Sequence, residues 1–311
     1  MKPRCIASLL AILSLFLLLA SFSSWSSGAG IEEQGVREPA LAGTWYPASP
    51  EKLRGQLTEF LSKASSEPVQ GEVIGLVVPH AGYMYSGQVA AFGYKHLQGT
   101  NFKRVILIGP SHHVSFKGVA VDLQSGYRTP LGTTPVDKDF VNELLGTSSQ
   151  IRSLPDAFTR EHSLEIQVPF LQSVLKEFSI VPLLMQVSDD VTCATLAEGL
   201  SKTIRKKQGK TLILASTDLS HFHSGDKAKL LDHHFIEGLR AFDPKGLLRS
   251  MSRGECEACG GGPTVAAMLA ARGLGADQAI VLRYANSGDV TGDYKRVVGY
   301  ASAAFVRRKG A

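Results

Sequence analysis

Cysteine is scarce in this chain, with four in 311 residues. Cys5 falls in an apolar N-terminal run, and the three that remain are too few for a disulfide framework. Only Cys256-Glu257-Ala258-Cys259 has C-x-x-C spacing. With no second such pair, a zinc ribbon is disfavoured. The H-E-x-x-H pattern of metallopeptidases is also missing, which weakens a zinc-hydrolase reading. Neither sign of charge accumulates: 33 Lys and Arg against 28 Asp and Glu leave a formal +5. Arg307-Arg308-Lys309 forms a short basic tail, but there is no long Lys/Arg block and there are no interleaved aromatics, so nucleic acid is not an indicated partner. After Gly30 there is no long apolar run, no internal repeat and no low-complexity linker. At 44% hydrophobic and 20% charged, the composition is that of an ordinary globular protein. A single α/β domain of about 250 to 280 residues accounts for it.

The first thirty residues are a different material. Lys2 and Arg4 precede an apolar run from Cys5 to Phe22, and the small, polar stretch Ser23 to Gly30 follows. A charged start, an apolar middle and small residues afterwards read as a secretory signal, with Ser27-Gly28-Ala29 as a cleavage site. The run is close to the length that spans a bilayer, so an uncleaved anchor is the alternative. Both readings export the domain to a periplasmic or other extracytoplasmic space, and any membrane association runs through this segment alone. Residues 1–29 are therefore expected to be signal or anchor, and 30–311 the domain.

From there strand and helix signals alternate. Ser49-Pro50-Glu51 is a helix start, with Leu53, Leu57, Phe60 and Leu61 following at helical spacing. Short apolar, β-branched runs predict strands at Val73–Val78, Arg104–Ile108, Ser179–Leu184 and Thr211–Ala215, with late strands at Gln278–Tyr284 and Val297–Phe305. Helical patterns lie at Gln88–Leu97, Asp137–Leu145, Leu164–Leu175, Thr192–Ile204, Lys227–Phe242 and Pro263–Ala271. Near-continuous apolar strands separated by amphipathic helices predict one domain with a central mixed or parallel sheet flanked by helices.

Chemistry gathers where three of those strands stop. Val77-Val78 runs into Pro79-His80-Ala81-Gly82-Tyr83, and Ile106-Leu107-Ile108 into Gly109-Pro110-Ser111-His112-His113. Leu212-Ile213-Leu214 leads to Ser216-Thr217-Asp218-Leu219-Ser220-His221. In open α/β sheets the ligand crevice lies beyond the carboxyl ends of the strands, so these histidines can converge although they are distant in sequence. Imidazole suits iron, copper and zinc alike and does not choose the metal. His221 follows Asp218 by three residues, and a tight turn would let that carboxylate orient the imidazole for proton transfer. Glu161-His162-Ser163 reads as the opening of a helix, with His162 structural or at a pocket rim. His96, His233 and His234 lie in helical stretches and read as packing or surface residues.

Cys259 precedes Gly260-Gly261-Gly262-Pro263 and a helix start, where a thiolate is stabilised. It is open to use as a metal ligand, as half of a zinc site or as half of a redox dithiol with Cys256. A disulfide between the two would remove the thiolate, because only the unpaired sulfur binds metal.

Taken in order, Arg37-Glu38-Pro39-Ala40-Leu41-Ala42-Gly43-Thr44-Trp45-Tyr46-Pro47, the three strand-end segments, Tyr127-Arg128-Thr129-Pro130-Leu131-Gly132, Glu161-His162-Ser163-Leu164-Glu165, Cys259-Gly260 and Tyr284-Ala285-Asn286-Ser287-Gly288-Asp289 resemble the Memo family. In prokaryotes that family is also called AmmeMemoRadiSam system protein B. The resemblance covers nearly the whole chain after Gly30. It implies a fold similar to class III extradiol dioxygenases and a pocket that binds iron or copper, zinc being less favoured. His80, His112 and Cys259 match the metal ligands, and Asp218 and His221 match polar residues beside the metal. Trp45 and Tyr85 match aromatic pocket walls, with His162 alongside. A thiolate in place of the dioxygenase carboxylate puts ring cleavage in doubt while leaving redox chemistry open. Two function classes follow. One is a metal-dependent oxidoreductase acting on an unidentified small molecule. The other is a non-catalytic metal-binding or interaction protein whose ligand is a small molecule or peptide.

Overall fold

The structure, a computed structural model, describes residues 34–65, 69–187 and 189–308. The expected signal or anchor at residues 1–29 lies outside them, as does Lys309 of the basic tail. No helix among the described residues is long and apolar enough to cross a membrane.

The strands in chain order are β1 (Gln34–Arg37), β2 (Glu72–Val78), β3 (Phe102–Pro110), β4 (Val119–Val121), β5 (Gln124–Thr129), β6 (Gly132–Pro135), β7 (Ile151–Ser153), β8 (Ser179–Met185), β9 (Lys210–Ser216), β10 (His221–His223), β11 (Gln278–Asn286) and β12 (Val297–Arg307). The helices are α1 (Pro50–Lys63), α2 (Tyr83–Lys95), α3 (Lys138–Leu145), α4 (Val168–Val174), α5 (Asp190–Lys206), α6 (Gly225–Arg240), α7 (Pro244–Ser252), α8 (Gly261–Gly273) and α9 (Gly288–Thr291).

One large sheet runs β10-β12-β2-β9-β3-β8-β4-β7, with β11 also paired to β12. Its middle is parallel: β2 pairs β9, β9 pairs β3 and β3 pairs β8. Antiparallel pairs flank this middle, β12 against β2 and β4 against β8, and the edge strand β7 pairs β4 in parallel. This is the mixed α/β architecture expected from the alternating pattern. A small sheet, β1-β5-β6, completes the described strands.

The middle strands are apolar through their central residues because both of their faces are covered there. Leu76 to Val78, Val105 to Ile108 and Leu212 to Ala215 are all fully buried. Burying each such side chain contributes about 1.5–3 kcal/mol. Helix α8 packs against β9, β3 and β2, and α2 against β12, β11 and β2. Helix α1 starts as expected, the Ser49 side chain accepting from the Lys52 amide, and buries Leu53, Leu57 and Leu61.

Three expectations need correction. The helix expected over Leu164–Leu175 is a 3-10 turn, Glu165–Gln167, followed by the shorter α4. Pro169 has no N–H to give the carbonyl of residue 165, which interrupts an α-helical ladder there. Glu161-His162-Ser163 accordingly lies in a turn and does not open a helix. The helix expected from Gln88 begins at Tyr83, because Gly82 serves as N-cap and Ser86 and Gly87 hide the apolar period. Tyr85 therefore sits in the first turn of α2.

Candidate metal centre

Because β2, β9 and β3 are adjacent and parallel, their C-terminal ends open on one edge of the sheet. His80 lies two residues past β2, His112 two past β3, and Asp218 two past β9. Cys259 arrives from the loop before α8. That loop is held to the end of β9 by Cys259 N–H to the Asp218 carbonyl (3.3 Å) and Gly260 N–H to Thr217 Oγ1 (2.9 Å). Position 260 demands glycine, since a Cβ would lie 2.3 Å from the Ser216 carbonyl oxygen.

The His80 ring is buried and its tautomer follows from its partners. Ser216 Oγ donates to the Ser163 carbonyl at 2.7 Å, spending its only hydrogen. It accepts from Gln167 Nε2 at 2.8 Å, and that amide is fixed by the Pro79 carbonyl at 3.0 Å and by the Tyr94 hydroxyl on its oxygen at 2.7 Å. His80 Nδ1, 2.9 Å from Ser216 Oγ, must therefore donate. Nε2 keeps its lone pair and lies 3.1 Å from Cys259 Sγ. Burial, with the neighbouring His162 and His112, holds the imidazole well below its ordinary pKa, so it is neutral as a metal ligand must be.

His112 is fixed by Glu161. Its backbone N–H meets Glu161 Oε2 at 2.7 Å and its Nδ1 lies 2.8 Å from Oε1. The amides of His162 and Ser163 also donate to Oε1, each at 2.9 Å. Burial alone would raise the Glu161 pKa, but the His112 ring and the surrounding N–H groups outweigh it and hold the carboxyl at about 2. A carboxylate there makes Nδ1 the donor, so the neutral His112 ring presents the lone pair of Nε2. Metal-binding histidines are commonly oriented by such a partner.

His162, expected to be structural or at a pocket rim, comes closer than that. One ring nitrogen from each of His80, His112 and His162 lies within 4.8 Å of the others. The rings of His80 and His112 are 5.3 Å apart and nearly perpendicular at 83°. Two such rings can aim in-plane lone pairs at a common point. His112 and His162 are stacked, 4.3 Å apart at 20°, and His162 meets His80 at 5.4 Å and 80°. Trp45, partly exposed, packs on His162 at 4.7 Å. Burial, then His112, pushes the His162 pKa down to about 4.

Cys259 touches His80 but stands outside the three-imidazole group. Burial, then the Asp218 charge, pushes its thiol pKa up. A bound cation would supply the charge that favours the thiolate. Cys256 is buried, and both thiols are free.

Asp218 and His221 do not form the pair expected from their spacing. Asp218 Oδ1 accepts the backbone N–H groups of His80 (2.8 Å) and Ala81 (3.3 Å), so it seats the His80 segment. Burial raises this carboxyl to about 7 against the pull of those amides. His221 lies against the Leu219 carbonyl, half-buried, close enough for its charge to bear on His80 and His112. Tyr85 is half-buried, and among the described residues its ring stacks on none of the site imidazoles. His113 is exposed, its ring 6.2 Å from that of His162.

Sequence reasoning passed over Glu161, Ser216 and Gln167, though Glu161 stood inside a recognised motif. It also left Glu165 without a role. That carboxylate is fully buried and binds Arg37 Nη1 at 2.5 Å, the amides of Ala40 and Leu41, and the Tyr46 hydroxyl. Arg37 Nη2 donates to the Glu161 carbonyl at 2.8 Å. The N-terminal motif is thus tied to the turn that carries Glu161 and His162.

A family model described as "Memo-like protein" matches residues 37–304. The chain is 37% identical over 287 residues to a MEMO1 family protein of Methanopyrus kandleri, covering 87% of this chain and 99% of that one. It is 38% identical over 283 residues to a MEMO1 family protein of Sulfolobus acidocaldarius, covering 87% and 99%. Among solved structures, an uncharacterized protein of Escherichia coli K12 aligns with TM-score 0.46 and 12% identity, covering 74% of this chain and 99% of that one.

Proposed function

The chain belongs to the Memo family, and we propose that it holds an iron or copper ion through His80 Nε2, His112 Nε2 and Cys259 Sγ, with His162 beside them. The observation that carries this reading is the commitment of both Nδ1 atoms, His80 to Ser216 and His112 to Glu161, which leaves the Nε2 lone pairs free. The donor chemistry fits: imidazole suits both metals, and a soft sulfur favours copper(I) and iron over hard cations. Zinc fits the donors as well but lacks redox chemistry.

Iron or copper in this position supplies one-electron redox chemistry. The function we assign is a metal-dependent oxidoreductase acting on a small molecule or a peptide group that enters past Trp45. The likeness to class III extradiol dioxygenases implied by the sequence motifs favours that class. The residues of the chain divide the remaining work. Glu161 and Ser216 orient the two imidazoles, and Asp218 seats the His80 segment. His221, within electrostatic reach of His80 and His112, would hold or accept a proton. We further propose that residues 1–29 export the domain, as a cleaved signal or an anchor.

The test is metal analysis of protein purified without added metal, together with His80→Ala and His112→Ala variants. Stoichiometric iron or copper that both variants lose is the expected result. Zinc alone would shift the assignment to hydrolysis, and no metal in any preparation overturns it. Stoichiometric metal without turnover of any supplied reductant or oxidant would favour the non-catalytic, metal-holding member of the pair of function classes.

A further inference from the structure

Asp232 and the stretch Tyr284–Asp289 take no part in holding the metal donors. Asp232, on α6, is fully buried. Its Oδ1 accepts the Ser220 N–H at 2.9 Å and its Oδ2 accepts the Tyr284 hydroxyl at 2.8 Å. The carboxyl rests on the bare Cα of Gly299, where a Cβ would come within 2.0 Å of Oδ2. Gly299 also brackets the same segment from β12. Its carbonyl accepts the Leu219 N–H at 2.8 Å and its N–H donates to the Ser220 carbonyl at 3.0 Å. A helix carboxylate, a tyrosine of β11 and a glycine of β12 therefore converge on the residue before His221.

The backbone just beyond that clamp is unusual. His221 pairs with Val298 and His223 with Val297, so Phe222 is an extra residue bulged from the ladder. Phe222 has φ of 62°, a left-handed conformation that non-glycine residues keep only where their surroundings enforce it. Bulges beside functional sites re-aim side chains. Here the bulge follows a fixed peptide, and the ring that precedes it is His221, within electrostatic reach of His80 and His112.

We propose that Asp232 is a positioning residue: braced by Tyr284 and seated on Gly299, it fixes the Ser220 peptide and thereby aims His221 at the metal centre. The destination of His221 rests on the metal-centre reading given above, whereas the clamp is independent of it. The charged groups that bear on His221 are His112, Glu257 and Asp232 itself. Asp232 favours the protonated ring.

The experiment uses the full chain, metal-free, and compares Asp232→Ala with Asp232→Asn. The alanine variant removes both contacts, while asparagine keeps the shape and an acceptor for Ser220. In Asp232→Ala the Ser220 amide should exchange about tenfold faster, the expected loss for a hydrogen bond to a charged acceptor. The His221 ring should titrate lower by about half a unit. Asp232→Asn should restore the slow Ser220 exchange. Cobalt(II) affinity, measured separately with the metal alone, should stay within about threefold of wild type in every variant, because His80 and His112 are oriented by other partners. If Asp232→Ala fails to fold, Tyr284→Phe, which removes one of the two braces, decides on the same readouts with smaller shifts in the same direction. Unchanged Ser220 exchange and an unchanged His221 titration in the deciding variant overturn the proposal. So does a loss of cobalt affinity as large as that of His80→Ala, which would mark Asp232 as a general support of the fold. Failure of the wild type to bind cobalt sinks the metal reading and leaves the exchange result standing.

Discussion

Glu161 accepts both the backbone N–H and the ring N–H of His112, so one carboxylate decides where that residue stands and which of its nitrogens is left bare. Glu161→Gln keeps the size and removes the charge. Metal affinity should fall about 10- to 100-fold, as it does when an orienting partner is lost. Calorimetric titration of the metal checks the affinity, and ¹⁵N shifts of the His112 ring report its tautomer. Unchanged affinity together with an unchanged tautomer would show that Glu161 is dispensable.

Cys259 and His162 are the two candidates for the third donor, and their geometry predicts unequal effects. Cys259 Sγ lies 3.1 Å from His80 Nε2, whereas the His162 ring is stacked on that of His112. Cys259→Ser should weaken copper(I) binding more than His162→Gln does. It should also abolish the thiolate-to-metal absorption of the cobalt form. The reverse order of affinities would make the site a three-imidazole one.

His162 gives a pH dependence whose sign is fixed by its shift. Its pKa is depressed from 6.5 to about 4 by burial and by His112, so the folded ring stays neutral while the unfolded chain takes a proton. Its destabilising effect is absent above about pH 6.5, grows as the pH falls toward 4 and is complete below that. In chelator-treated protein, wild type should lose roughly 3 kcal/mol relative to His162→Gln across this window. Denaturant unfolding at a series of pH values checks it. Parallel stability curves for the two proteins would refute the shift.

Arg37 and Glu165 are joined at 2.5 Å in the interior. Glu165→Ala leaves the guanidinium buried without its carboxylate and orphans the Ala40 and Leu41 amides. The expected cost is about 3–5 kcal/mol, read as a lower unfolding midpoint. A change below about 0.5 kcal/mol, the size usual for a surface substitution, would mean that the N-terminal motif is held by other contacts.

Much of the fold was legible because the buried strands announce themselves. Val105–Ile108 and Leu212–Ala215 are continuous apolar runs, and the structure extends the strands expected at Arg104–Ile108 and Thr211–Ala215 by a residue or more at either end. The short strands β4, β7 and β10, three residues each, are too brief to show any period. His80 and His112 stood out because each follows such a run. Glu161 did not, because nothing local marks a carboxylate that will meet a ring 49 positions away. The Asp218–His221 pairing failed for the same reason in reverse. Three residues of separation invited a local contact, but the amides of His80 and Ala81, 138 and 137 positions distant, occupy the Asp218 oxygen instead.

His80 and Cys259 are 179 residues apart along the chain and 3.1 Å apart in space. During synthesis the loop that brings the thiol to the imidazole cannot close until most of the polypeptide has left the ribosome. Its entropy must be spent before any ion can reward it. A truncated product ending before Cys259 would carry His80, His112 and His162 without the sulfur. Whatever the His80–Cys259 contact does, it therefore belongs to the finished chain and not to a partly made one.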